Sequence, residues 1–148
     1  MLNRMLCAAA LLCCAQAAMA EVAVSIGHLR VAQPLPPTLS NLDPVPGDLG
    51  LAGARTGLSD NATTGRFLGH SYTLSDRDVP EGDDPLSAAR TMLAEYRFLL
   101  LDAAPEVQLA IADLPEAEGA LLFNISEGAG HLRDAECRAN LFHTLPSD

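Results

Sequence analysis

Residues 84–123 read DPLSAARTMLAEYRFLLLDAAPEVQLAIADLPEAEGALLF and contain two segments with the pattern of a helix followed by a strand. Asp84 followed by Pro85 predicts a helix start. The aspartate can accept hydrogen bonds from free backbone amides, and proline at the first helical position loses no hydrogen bond within the helix. Pro105 begins the second helical pattern, which Pro115 ends. This alternation of helix and strand decides the fold class.

A short apolar run follows each of the two helical segments, at 98–101 and at 120–123. Uninterrupted apolar runs of this kind are typical of strands that helices cover on both faces. Residues 21–31 alternate between apolar and small side chains, and further strands are expected at 70–79 and 140–144. Strands separated by helices form parallel sheets through right-handed crossovers. The sequence therefore predicts an α/β fold with a doubly wound, mainly parallel sheet.

The segment between the first two strands is predicted to contain a loop and then a helix. Pro34, Pro36 and Pro37 make 33–46 a long extended connection. From Asp48 the spacing of apolar residues is helical, and this pattern fades at 60–61. Gly65 and Gly69 are expected to frame the turn into the second strand.

Residues 1–20 have the features of a cleavable secretory signal. Arg4 precedes an apolar run at 5–14 that is too short to span a bilayer, and Ala-Met-Ala at 18–20 fits a signal peptidase. We therefore expect a mature chain, 21–148, that forms one α/β lobe in the periplasm and does not insert into the membrane after signal cleavage.

One cysteine remains after the expected cleavage, Cys137, so no internal disulfide can form. We favour a buried, small apolar role for Cys137, with a pairing partner outside the chain as the alternative. Lipidation at Cys13 or Cys14 is a weaker alternative to cleavage after Ala20, because neither cysteine follows a small residue.

Charge and motifs narrow the classes of function. The formal net charge of −10 disfavours nucleic acid and anionic lipid as partners. Residues 128–130 lack the third glycine of a dinucleotide-binding motif, and Ser126 lacks the glycines of a nucleophile elbow. We expect no cofactor, no metal and no catalytic residue, with an exported hydrolase kept as an alternative.

The histidines lack metal-ligand spacing and are interpreted as surface or hydrogen-bonded structural groups. They are His28, His70, His131 and His143.

Polar residues occupy the expected carboxyl ends of several strands, which is where ligands bind in open parallel sheets. We expect them to form one polar rim. They are His28, Arg30, Asp102, Asn124, Ser126, His143, Thr144 and Ser147. The alternative interpretation of Asn124, Thr144 and Ser147 is that they cap turns and helices.

Several segments resemble a known family. Residues 60–74 (DNATTGRFLGHSYTL) resemble the helix-to-second-strand turn of type I periplasmic binding proteins, the branched-chain amino-acid-binding class. Residues 143–148 (HTLPSD) resemble the fifth-strand exit of that class. Residues 36–46, 50–55 and 137–140 are similar to the subfamily of ABC-transporter substrate-binding proteins associated with PQQ-dependent alcohol dehydrogenase systems.

The resemblance implies a two-lobed protein that closes on a small polar ligand and delivers it to an ABC permease of the inner membrane. In relatives the first lobe binds ligand after the third, fourth and fifth strands. By position this implies Asp102, then Asn124 and Ser126, and then Thr144 as ligand-binding residues. The ligand would be an alcohol-derived small polar molecule or the quinone cofactor itself.

Members of this family are longer than this chain, which stops where the next helix and the second lobe are expected. We therefore expect a truncated first lobe that exposes an apolar face and a sheet edge. A periplasmic ligand sensor of the same fold and a non-functional fragment are the alternatives to transport. Neighbouring genes for a permease and an ATPase would favour transport, and a histidine kinase gene would favour sensing.

Overall fold

The computed structural model describes residues 21–34 and 46–148 of the chain. Five parallel strands form one sheet. The strands are β1 (Val22–Val31), β2 (His70–Val79), β3 (Phe98–Asp102), β4 (Leu121–Asn124) and β5 (Leu141–His143). The helices are α1 (Leu49–Leu68), α2 (Pro85–Leu93) and α3 (Pro105–Ala112), with 3-10 turns at Pro115–Ala117 and Gly130–Arg133. The predicted α/β class is confirmed, and the sheet is entirely parallel within the described residues. The predicted signal at 1–20 and residues 35–45 of the proline-containing connection lie outside the described residues.

The strands lie in the order β2-β1-β3-β4-β5. The chain therefore moves outward from β1 to β2 and then crosses back to place β3 on the other side of β1. In doubly wound sheets such a reversal opens a crevice beyond the carboxyl ends of the two strands that flank it. Here those strands are β1 and β3, with α1 leading away from the first and α3 from the second.

The starts of α2 and α3 follow the sequence prediction. Asp84 Oδ1 accepts a hydrogen bond from the backbone amide of Leu86 at 2.9 Å, and Pro85 is the first residue of α2. Pro105 is likewise the first residue of α3. Proline suits this position because its fixed φ is already helical and the amide it lacks would have no partner within the helix.

The predicted end of α1 at 60–61 is wrong, because the helix continues to Leu68. Its polar residues hydrogen-bond within the helix: Asn61 Nδ2 donates to the carbonyl of Gly57 at 2.7 Å, and Thr63 Oγ1 donates to that of Asp60 at 2.6 Å. Because both side chains bond to carbonyls of the preceding turn, the helix accommodates these residues. The helix ends at Gly69, whose φ of 70° is the left-handed conformation that glycine adopts without strain.

One face of the sheet is closed by α2 and α3, and we call it the closed face. Alternate residues of the central strands point to this side and are fully buried, with 0% exposure. They are Leu29 in β1, Leu99 and Leu101 in β3, and Leu122 in β4. Together with apolar residues of α2 and α3 they form the main core.

The opposite face, on which α1 lies over β1 and β2, is the open face. Phe98 and Leu100 of β3 point to this side and are only half-buried. Leu121 of β4 is 38% exposed and Phe142 of β5 is 46% exposed. The expectation that 98–101 is covered on both faces therefore holds for the closed face alone. Apolar side chains are thus exposed on the open face of β4 and β5.

Cys137 is exposed, so the expectation that it is buried is wrong. It lies in the irregular segment between the second 3-10 turn and β5, where few residues pack over the backbone. Within the described parts of the chain, no helix combines the length and the apolar character needed to cross a membrane.

Candidate functional site

A cavity of about 550 Å³ lies beside the first turns of α1, beyond the carboxyl ends of β3, β4 and β5. Its volume suits a small organic molecule. It is lined by Gly50, Gly53 and Ala54 of α1, Leu100 and Asp102 of β3, Ile125 and Ser126 after β4, and Leu145 after β5. Two of the four predicted ligand-binding residues, Asp102 and Ser126, are therefore brought together at one site.

Asp102 is the last residue of β3, and its side chain is partly exposed. The parallel register places it beside Arg30 of β1, whose Nε lies 3.8 Å from Asp102 Oδ2. Arg30 Nη1 also donates to the carbonyl of Gly47, just before α1. The guanidinium therefore balances the charge of the carboxylate and connects the end of β1 to the start of α1.

Ser126 lies two residues beyond β4, and its Oγ accepts a hydrogen bond from the backbone amide of Ala103 at 3.2 Å. This bond ties the segment after β4 to the segment after β3. The hydroxyl hydrogen is not used in it, because Oγ is the acceptor. Ser126 is thus able to donate a hydrogen bond to a molecule in the cavity.

Asn124, the last residue of β4, lies on the closed face and is fully buried. Its Oδ1 accepts from the amides of Ser126 at 3.2 Å and Glu127 at 2.8 Å and from Gln108 Nε2 at 3.2 Å. Its Nδ2 donates to the Glu127 carbonyl at 2.7 Å and lies 3.0 Å from His143 Nδ1. Because these bonds occupy its amide, Asn124 shapes the turn after β4, as the capping interpretation states.

Thr144 follows β5 and is exposed, and it does not line the cavity. Its Oγ1 donates to the carbonyl of Asn124 at 2.9 Å. Neighbouring His143 has its pKa lowered, first by burial and then by the positive charge of Arg133, so the neutral ring can accept from Asn124 through Nδ1. These two residues hold the ends of β4 and β5 together, and the predicted single rim is therefore divided between the two faces.

His28 contradicts the interpretation of the histidines as surface or hydrogen-bonded groups. Its side chain lies on the open face at 0% exposure, and neither Nδ1 nor Nε2 has a hydrogen-bond partner among the described residues. Burial lowers the pKa of His28. The negative charges of Asp102, Asp76 and Asp78 oppose that effect, and Arg30 adds to it. The lowered pKa favours the neutral ring.

Gly50 lies between His28 and the cavity. A Cβ atom built on Gly50 would lie 3.5 Å from His28 Nε2, 3.5 Å from Asp102 Oδ2 and 3.1 Å from Ile125 Cδ1. Because glycine has no side chain, the first turn of α1 can pack closely against these three groups. Gly50 therefore separates His28, which solvent does not reach, from the cavity that Gly50 and Asp102 line.

Acidic groups surround the outer part of the site. Burial raises the pKa of Glu127, and the nearby charges of Asp148, Glu106 and Asp102 raise it further, while a hydrogen bond with Gln33 acts in the opposite direction. An anionic ligand would approach against these charges.

Sequence reasoning missed the apolar wall of the cavity and the importance of His28. Leu145 lies beyond the last strand, and Ile125 sits between two polar residues, so neither stands out by periodicity. The sequence did contain one indication that Gly50 lies at a site. It stands at the start of the helix that follows the first strand, a position at which phosphate-binding folds also use glycine.

The chain's sequence matches no protein-family model and no curated protein.

Proposed function

We propose that this chain is the ligand-binding lobe of a periplasmic substrate-binding protein that serves an ABC importer. The observation that supports it best is the cavity at the reversal of strand order, lined by Asp102 and Ser126 together with an apolar wall. A mostly apolar cavity with a few polar groups is typical of sites that bind small molecules reversibly.

The finer identity rests on the resemblance described above. A five-stranded parallel sheet with the order β2-β1-β3-β4-β5 is compatible with the first lobe of a type I periplasmic binding protein. We propose that the lobe belongs to the subfamily connected with PQQ-dependent alcohol oxidation. Its ligand would then be a small polar molecule passed to an inner-membrane permease.

The site residues are tested by ligand screening. A thermal-shift screen of small polar metabolites on the purified protein should yield at least one ligand, confirmed by calorimetry. Asp102→Asn and Ser126→Ala should each weaken binding of that ligand about tenfold, because each loses a hydrogen bond to it. Asp83→Asn, a carboxylate change at an exposed position away from the cavity, is the matched control and should leave the affinity unchanged.

Two outcomes would contradict the proposal. One is a screen in which no small molecule stabilises the protein. The other is a ligand whose affinity is the same in the wild type, in Asp102→Asn and in Ser126→Ala.

The cellular part of the proposal needs separate tests. Mass analysis of the periplasmic fraction should give a chain that begins at Glu21, and material retained in the cytoplasm with residues 1–20 intact would exclude export. Deletion of the gene should reduce uptake of the identified ligand. Unchanged uptake together with loss of a transcriptional response to that ligand would favour the sensor alternative.

A further inference from the structure

A second cavity, of about 230 Å³, lies between α1 and the open face of the sheet. Its wall combines strand residues with small or apolar residues of α1. They are Val24 and Ile26 of β1, Tyr72 and Leu74 of β2, Leu100 of β3, and Ala54, Gly57, Leu58 and Asn61 of α1. The apolar strand residues of this wall are only half-buried, whereas the strand residues of the closed-face core are fully buried. The layer between α1 and the sheet is therefore packed less densely than a normal protein interior.

Glycines of α1 contribute to this space. Gly57 lines the second cavity, and a Cβ atom built on it would have no neighbour within 4 Å. One turn earlier, Gly53 lines the first cavity, which Asp102 and Ser126 also line, and a Cβ built there has no neighbour within 4 Å either. Close packing requires neither glycine, so a side chain at either position would occupy open space.

The two cavities follow one another along α1. Residues 50, 53 and 54 line the first and residues 54, 57, 58 and 61 line the second, which is the spacing of a single helical face. Ala54 of α1 and Leu100 of β3 line both cavities, so the two spaces meet at this pair of side chains. A molecule bound in the first cavity can therefore extend between α1 and the sheet into the second.

The second cavity is suited to an apolar chain. Its two polar side chains already have partners, because Asn61 Nδ2 donates to the Gly57 carbonyl at 2.7 Å and the Tyr72 hydroxyl lies 3.3 Å from His70 Nδ1. Apolar cavities take up apolar groups in preference to water. A protein helix, about 10 Å across, is too wide for this space. An unbranched alkyl chain is the occupant that fits both its width and its lining.

The first cavity indicates the polar end of the same ligand. The Ser126 hydroxyl is free to donate a hydrogen bond, and the Asp102 carboxylate accepts. A hydroxyl group on the ligand can accept from the first and donate to the second. An anionic group can do neither at Asp102 and is repelled by the acidic surroundings.

We propose that the ligand is an uncharged amphiphile whose hydroxyl-bearing head binds beside Asp102 and Ser126 and whose unbranched alkyl tail passes Ala54 and Leu100 into the second cavity. This inference deepens the proposed function and rests on it, in that the first cavity must bind a small molecule. Burial of each methylene group strengthens binding about fourfold, so the tail supplies a large part of the affinity.

The first test uses a series of linear alkane-1,2-diols with four, six, eight and ten carbons. Each is titrated calorimetrically into the purified protein at concentrations at which the diol does not aggregate. The affinity of the wild type should rise by about fourfold for each added methylene. An affinity that does not increase with chain length would overturn the inference.

Two leucine variants locate the tail. Gly57→Leu places a side chain in the second cavity, so its loss of affinity should grow with chain length and be about tenfold greater for the ten-carbon than for the four-carbon diol. Gly53→Leu places the same side chain in the first cavity and should weaken binding of every diol. Ser59→Leu is the matched control, because it adds leucine to the same helix at an exposed position outside both linings, and it should give wild-type affinities.

The fold of the two glycine variants is checked by urea denaturation. Leucine favours a helix interior over glycine, so neither midpoint should fall below that of the wild type. A lower midpoint for Gly57→Leu would show that α1 packs onto the sheet with no space beneath it, and the inference would be wrong. Gly57→Ala adds only a methyl group and should give a smaller dependence on chain length than Gly57→Leu.

The results separate this inference from the proposed function. If Gly57→Leu weakens all the diols equally, or none of them, the tail does not enter the second cavity. The proposed function then stands if Asp102→Asn still weakens the ligand found by the metabolite screen. If no diol binds although the screen yields a ligand, the inference alone is wrong, and if the screen also yields no ligand, both proposals fail.

Discussion

His28 and Asn124 are both fully buried polar residues near the carboxyl ends of strands, yet they lie on opposite faces of the sheet and in opposite hydrogen-bonding states. On the closed face, Asn124 bonds to the backbone of Ser126 and Glu127 and to the Gln108 side chain. On the open face, both nitrogens of His28 lack a partner among the described residues.

The difference shows which face of the sheet contributes stability through buried polar groups and which face loses stability through them. Polar groups on the closed face act as internal supports for loops, although one atom there, Gln108 Oε1, is also unpaired among the described residues. On the open face, an unpaired imidazole lies behind the first turn of α1, near the cavity although it does not line it, and the neighbouring apolar side chains are half-buried or exposed. Functional sites commonly keep groups that a purely structural core would not.

The largest expected effect comes from making the same substitution at both polar positions. Asn124→Leu should lower the free energy of unfolding by about 3 kcal/mol, because it leaves buried backbone groups of the turn after β4 without a hydrogen-bond partner. His28→Leu should leave stability unchanged or raise it by about 1 kcal/mol, because it removes a buried polar group that has no partner. Urea denaturation of both variants against the wild type measures the two changes.

A loss of stability in His28→Leu as large as that in Asn124→Leu would break the comparison. It would mean that His28 is held by a structural partner, such as an ordered water, and that it does not mark the site. His28→Gln then serves as a check, since an amide would restore most of the stability if the loss comes from hydrogen bonding.

The second comparison concerns apolar residues on the two faces. Leu99→Ala on the closed face should cost about 3 kcal/mol, because the residue is fully buried and its removal leaves a cavity. Phe142→Ala should cost about 1 kcal/mol despite deleting a larger group, because Phe142 is 46% exposed and so buries little area, part of it against Phe123. The ring centroids of these two phenylalanines are 5.7 Å apart.

Equal destabilisation by Leu99→Ala and Phe142→Ala, again by urea denaturation, would show that the open face is covered in solution. A change in the stability of Phe142→Ala with protein concentration would indicate that a second copy of the chain provides this cover.

The sequence predicted the elements whose signals are local. Asp84-Pro85, Pro105 and the apolar runs at 98–101 and 120–123 each act through neighbouring residues, and the structure contains the expected helices and strands there. The end of α1 was mispredicted because a helix can accommodate polar residues such as Asn61, whose side chain bonds to a carbonyl of the preceding turn.

The candidate site was predicted only in part, because strand ends can be located from local sequence whereas the direction of a side chain cannot. Asp102 and Ser126 could be placed from strand ends alone, since carboxyl ends meet at one edge of a parallel sheet. The face to which each side chain points depends on register, which separates Asn124 from Asp102 although both end strands. The unpaired state of His28 depends on residues distant in sequence, and no local pattern encodes it.

The smallest expected effect is a dependence of stability on pH that distinguishes His28→Leu from the wild type. The pKa of His28 is lowered in the folded protein from its usual 6.5, so the unfolded chain binds the proton more readily. Its contribution to wild-type stability is complete above pH 6.5 and is lost as the pH falls through the lower folded-state pKa. The stability of His28→Leu relative to the wild type should therefore rise as the pH is lowered below this value.

The difference between the two proteins is the quantity to measure, because other groups titrate in both. His143 has a lowered pKa and acts in the same direction as His28, whereas the raised pKa of Glu127 acts in the opposite direction, and both effects cancel in the subtraction. Urea denaturation between about pH 5 and 7.5 covers the range in which a histidine with a lowered pKa titrates. A difference that stays constant across this range would mean that His28 has the same proton affinity in the folded and unfolded chains. His28 would then be reachable by solvent in the folded protein, and the first turn of α1 would open far enough in solution to admit water beside Gly50.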